Sequence, residues 1–120
     1  MNIGILTFHW STNYGAVLQT YALQEYLKEL GHEVKIINYV PVKKSIKNCF
    51  QYRNPINILN LLKELKKEQA FIPFRKKWLQ LTKQYNSLSE LQNDSPNLDV
   101  YICGSDQVWN PYFLAKGEKK

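Results

Sequence analysis

Cysteine is nearly absent: the 120 residues hold only Cys49 and Cys103. Two cysteines exclude a disulfide framework, and both read as reduced thiols, Cys103 as a small hydrophobe inside an apolar run. Glycine-rich phosphate signatures are also missing. Gly4 lies within an apolar stretch and Gly15 stands alone in a turn, so neither the dinucleotide fingerprint nor the phosphate loop is formed and binding of NAD or FAD is rejected. The only histidines are His9 and His32, and no His/Cys/Asp set has metal-ligand spacing; neither a metal nor a cofactor is expected. No apolar run approaches a membrane span. The chain passes from Met1-Asn2 into Ile3-Gly4-Ile5-Leu6 without a basic leader or a small-residue cleavage site, so the expected location is cytoplasmic.

What is present is the composition of an ordinary globular domain, with 44% hydrophobic and 22% charged residues. That balance excludes a disordered or fibrous chain and allows one small core. Net charge is +6, concentrated in Lys43-Lys44-Lys47, Lys63-Lys66-Lys67, Arg75-Lys76-Lys77 and the tail. Such clusters attract nucleic acid, an acidic membrane surface or an anionic substrate. None is interleaved with aromatics in a nucleic-acid module, so nucleic acid is not expected. Solvated helix faces are the reading preferred, with peripheral membrane association left open.

Ile3, Ile5, Leu6 and Phe8 read as a first buried strand, and Ser11-Thr12-Asn13 as caps for a helix. Its apolar stripe is Ala16, Thr20, Leu23, Leu27 and Leu30, with Gln24 and Glu25 mostly off that face. Gly31 ends the helix, and Val34, Ile36 and Ile37 form a second strand closed by Pro41. Strand, helix and strand within this span predict a right-handed parallel βαβ unit, the opening of a Rossmann-like sheet. Residues 40–53 are basic and aperiodic, a connection or lid. Asn54 and Pro55 start a helix with Ile58, Leu61, Leu62 and Leu65 on one face. Pro73 is expected to interrupt it, with Phe71, Phe74, Trp78 and Leu81 marking a second amphipathic helix. These helices are expected to pack on the sheet or on a second domain. Ser87-Leu88-Ser89-Glu90 has capping-box spacing and predicts a short helix over 88–92. The domain is thus expected over 1–111, with 40–98 a largely helical insertion and 112–120 a tail or the start of a further segment.

The most informative stretch is Asp99-Val100-Tyr101-Ile102-Cys103-Gly104-Ser105-Asp106-Gln107-Val108-Trp109-Asn110. Its uncharged apolar run predicts a central parallel strand covered on both faces. After Gly104, five polar or aromatic groups crowd the loop before Pro111, more than a helix cap requires. Ligands of open α/β sheets bind beyond the carboxyl ends of strands, so these groups are site candidates. The first βα loop is expected at the same rim, bringing Asn13, Tyr14, Gly15 and Gln19 into one cleft. His9 at its mouth and Asp106 at the end of its strand are the catalytic candidates; Asp99, at the opposite end, only starts the strand. Arg53 and Arg75 have no place at the site by sequence.

Two stretches together resemble the polysaccharide pyruvyl transferases. One runs Asn13-Tyr14-Gly15-Ala16-Val17-Leu18-Gln19-Thr20-Tyr21-Ala22-Leu23 and on through Gly31-His32-Glu33-Val34 to Asn38-Tyr39; the other is the segment over 99–111, the more specific of the two. The resemblance implies an α/β fold with a Rossmann-like parallel sheet, the amino-terminal half of a two-domain, GT-B-like enzyme. It implies transfer of a pyruvyl group from phosphoenolpyruvate to a sugar hydroxyl of a surface polysaccharide or exopolysaccharide. The acceptor would be a saccharide or lipid-linked glycan. It further implies that Asn13, Tyr14, Gly15, Gln19, Gly104, Ser105, Asp106, Gln107, Trp109 and Asn110 line the cleft and hold the acceptor, with Trp109 stacking on a sugar ring. The family's catalytic histidine and basic donor-binding residues fall in its carboxyl half, so this chain alone is expected to be inactive. The alternatives are a nucleotide-sugar glycosyltransferase of similar build and a non-enzymatic module whose basic helices bind an acidic polymer.

Overall fold

A computed structural model describes residues 1–40 and 55–104. Strand β1 (Asn2–Leu6), helix α1 (Tyr14–Glu29), strand β2 (Glu33–Ile36), helices α2 (Pro55–Trp78) and α3 (Leu88–Asn93), and strand β3 (Val100–Cys103) follow in that order. The strands form one parallel sheet, ordered β2-β1-β3. Ile3 pairs with both Val34 and Val100, and Ile5 with Ile36 and Ile102.

The interior position belongs to β1. Ile3, Gly4 and Ile5 are buried in succession, the mark of a strand covered on both faces. At Gly4 any side chain would collide with Leu98 and Ile37. In β2 the exposed Glu33 and Lys35 alternate with the buried Val34 and Ile36. These two join Ile3, Ile5 and Leu79 in the core, ringed by Tyr21, Leu23, Leu27, Leu81 and Ile102. Each such fully buried aliphatic side chain contributes about 1.5–3 kcal/mol over its exposed state.

Local chemistry sets the helix ends as the sequence predicts. The Asn13 side chain accepts a hydrogen bond from the Gly15 amide at the start of α1. At its close Gly31 adopts φ +85°, its N–H donating to Lys28 and that of His32 to Leu27. That is the Schellman closure, open to glycine without strain. Ser87 Oγ accepts from the Glu90 amide and so caps α3 as predicted, while the Glu90 carboxylate reaches past the cap to accept from the Asn86 amide.

Four expectations are corrected. Among the described residues β3 is an edge strand, with Tyr101 53% exposed and Cys103 exposed; an apolar run fixes a strand, but only its neighbours fix its rank in the sheet. Pro73 does not divide α2, which runs unbroken to Trp78. The loss of one amide there is offset by ring contacts of Phe71 with Tyr14 and of Phe74 and Trp78 with Tyr21. The face of α1 turned to the core keeps Thr20, Leu23 and Leu27 of the expected stripe but also takes in Val17 and Gln24, while Leu30 is exposed. Gln24 is buried where it bonds backbone groups near the end of α2. Leu62 and Leu65 are exposed and cover neither the sheet nor another described element. The expectations for 40–53 beyond residue 40, for the Asn54 cap, for Cys49, and for the Ile58 and Leu61 side chains lie outside the described residues.

The two sheet edges differ. Residues 79–85 run along β2: Ile36 N–H donates to Gln80 O, Thr82 N–H to Ile36 O, and Tyr85 N–H to Asn38 O. Leu81 bridges Ile36 and Tyr85 bridges Tyr39 in parallel. At the start of β3 the Asp99 carboxylate accepts from the Asn2 amide, while the Asp99 amide donates to Asn2 O, which fixes the register from its amino end.

Candidate functional site

The chain leaves β1 toward β2 on one side and returns to pair β3 on the other. The carboxyl ends of β1 and β3 therefore flank the point where strand order reverses, the place where open parallel sheets leave a crevice. Leu6 faces Cys103 in register, and the Gly104 amide donates to Leu6 O at 3.1 Å. Gly104 and the β1–α1 loop thus share one rim, and a Cβ at Gly104 would meet nothing within 4 Å.

From that loop Thr12, Asn13 and Tyr14 line one wall of a cleft of about 600 Å³, and Lys66, Lys67, Ala70 and Phe71 of α2 line the other. Tyr14 is exposed and its ring lies 4.7 Å from that of Phe71. Gly15 carries the amide that Asn13 caps. Gln19, one turn on, is exposed and outside the lining of this cleft. Ser105, Asp106, Gln107, Trp109 and Asn110 lie outside the described residues.

His9 is fully buried behind the loop. Its Nδ1 lies 3.2 Å from Thr7 O and its Nε2 3.0 Å from the side-chain Oδ1 of Asn38, beyond β2. Burial pushes its pKa below the ordinary value of 6.5; the contacts with Asn38 and Thr7 oppose that shift, and the Arg75 charge adds to it. The ring is therefore neutral at neutral pH. In the neutral ring one nitrogen carries the proton and donates to Thr7 O or to Asn38 Oδ1, according to the tautomer. His9 thereby ties the β1–α1 loop to the end of β2.

Arg75, unplaced by sequence, proves to be the anchor of the loop. It is 8% exposed and donates through Nη2 to Trp10 O at 2.8 Å and Ser11 O at 2.9 Å, while Nη1 pairs with Glu68 at 3.0 Å. Its Nε is buried without a partner. The available signal was position: Arg75 lies four residues from Phe71, on the helix side that carries the aromatic stripe. Lys66 and Lys67, assigned by sequence to a solvated face, flank the cleft because α2 lies against the start of α1.

This arrangement presents backbone amides at the start of α1, an exposed ring and two ammonium groups to one cavity, a setting suited to a polar ligand bearing negative charge. Compared with known proteins, residues 13–120 match the family model described as Polysaccharide pyruvyl transferase. No curated protein and no solved structure matches the chain.

Proposed function

Since the chain belongs to the polysaccharide pyruvyl transferase family, we propose that it is the amino-terminal, Rossmann-like part of a two-domain enzyme that transfers a pyruvyl group from phosphoenolpyruvate to sugar hydroxyls of a surface polysaccharide. The observation that carries this reading is the family match over 13–120. A parallel sheet whose order reverses between β1 and β3 supports it. Forming a pyruvate ketal requires a proton on the methylene carbon of the donor and attack of a sugar hydroxyl on the adjacent carbon. Departure of phosphate and closure by a second hydroxyl then complete the ketal. A cationic clamp and a general acid serve those steps; in this reading they lie in the partner domain.

The residues of this chain hold the acceptor. Asn13, Tyr14 and Gly15 at the start of α1, with Gly104, Ser105, Asp106, Gln107, Trp109 and Asn110 after β3, form its half of the cleft. Asp106 takes the proton of the attacking hydroxyl. His9, buried with both ring nitrogens engaged, serves by holding the first loop in place. The setting is cytoplasmic.

The test is to offer the complete gene product phosphoenolpyruvate, or nucleotide sugars, with an extract of its own glycans. Glycan that gains pyruvate, with release of inorganic phosphate, is the expected result. Glycan lengthened by a sugar, with no pyruvate, overturns the proposal in favour of a glycosyltransferase.

A further inference from the structure

The outward side of α2 combines two features that a solvated helix keeps apart. Leu59, Leu62 and Leu65 are 60%, 49% and 45% exposed, and Ile72 is open as well. Leu62, Leu65 and Ile72 fall within about a quarter of the helix circumference at 3.6 residues per turn. Lys76 shares that arc, and Lys66 and Lys77 border it, within about 60° of Leu62. None of these three lysines pairs with a carboxylate among the described residues, and Glu68 is taken by Arg75. The Lys77 ammonium lies 5.0 Å above the Trp78 ring. Among the described residues, the carboxyl-terminal turns fasten α2 to the body of the fold, through Phe71, Phe74, Arg75 and Trp78.

We propose that this face of α2 is a docking surface for an anionic lipid bilayer. The leucines enter the boundary between headgroups and acyl chains, and the lysine stems extend along the helix so that their ammonium groups reach lipid phosphates. A basic helix with an apolar side is the chemistry such a surface selects. An acidic polymer would engage the lysines and leave the leucines in water. A second copy of the chain would bring two lysine-rich flanks together across a two-fold axis, at a cost in like-charge repulsion. The helix lies on the membrane; among the described residues no helix is long and apolar enough to cross one. The inference stands independently of the reaction proposed above.

The test is flotation of the full 120-residue chain with vesicles of phosphatidylglycerol and phosphatidylcholine in a one-to-two ratio, and with phosphatidylcholine alone. Binding is expected to the anionic vesicles only, and to weaken in high salt. Joint replacement Lys66→Gln, Lys76→Gln and Lys77→Gln should lower the partition coefficient on the order of a hundredfold, at roughly fivefold per cation. Leu62→Ser with Leu65→Ser should lower it roughly tenfold through lost apolar burial. Circular dichroism confirms the fold of each variant. Failure to float overturns the proposal, as does equal binding to neutral vesicles. Loss of binding with the lysine variant but not the leucine variant indicates an acidic polymer. A concentration-dependent dimer abolished by the leucine variant indicates self-association.

Discussion

Replacing Arg75 by methionine tests whether the guanidinium is what holds the β1–α1 loop against α2. Two charge-assisted bonds, to Trp10 O and Ser11 O, are each worth about 1.5–3 kcal/mol. The ion pair with Glu68 adds about 1 kcal/mol at most, because Glu68 is 31% exposed and rehydrates readily. Against this, methionine removes the buried, unpartnered Nε, a relief of about 1–3 kcal/mol, and it retains aliphatic contact with Phe71, over whose ring the guanidinium now lies. The net expectation is a loss of roughly 3 kcal/mol, a large share of the stability of a small domain. Urea unfolding followed by circular dichroism should show a lower midpoint with an unchanged slope. Arg75→Lys should recover less than half of the loss, since one ammonium cannot reach both carbonyls and Glu68 together in the geometry of the fork. A loss below about 1 kcal/mol for methionine, or full recovery with lysine, would refute the anchoring argument.

Two further outcomes follow from the buried polar groups. His9 has a folded pKa below its unfolded value of 6.5, so the unfolded chain binds the proton more readily. Its contribution is complete above pH 6.5 and declines as pH falls below that value; the pH dependence of the urea midpoint should flatten there in His9→Gln. Gln24 donates to Trp78 O at 2.9 Å and accepts from the Gln80 amide at 2.8 Å. Gln24→Leu strands both backbone groups and should cost about 2–4 kcal/mol in the same assay, with Gln24→Met no better.

Features governed by near neighbours in sequence were legible. Asn13, Gly31 and the Ser87/Glu90 pair act within one helical turn, and each does what its residue type predicts. The parallel β1–α1–β2 unit followed from strand spacing, and with it the sharing of one rim by the first loop and Gly104. Gln24 and Arg75 were not legible, because their partners lie 54 to 65 residues away. A polar side chain that satisfies distant backbone groups looks, in a helical wheel, like one facing water. Lys66 and Lys67 are exposed as expected, but charge identifies an accessible face and not which element stands opposite it. The rank of β3 could not be read from its own residues, since burial of a strand is conferred by what lies beside it.

Among the described residues the sheet is bordered along β2 by residues 79–85, and no segment borders β3. Enlargement beyond β3, whether by further chain or by another molecule, meets no described segment. Every strand added there moves the gap between Leu6 and Gly104 toward the midline and converts β3 from a boundary into an inner member. The asymmetry thus centres the crevice as the sheet grows, with the β1–α1 loop already pinned by a guanidinium on one side and an imidazole on the other.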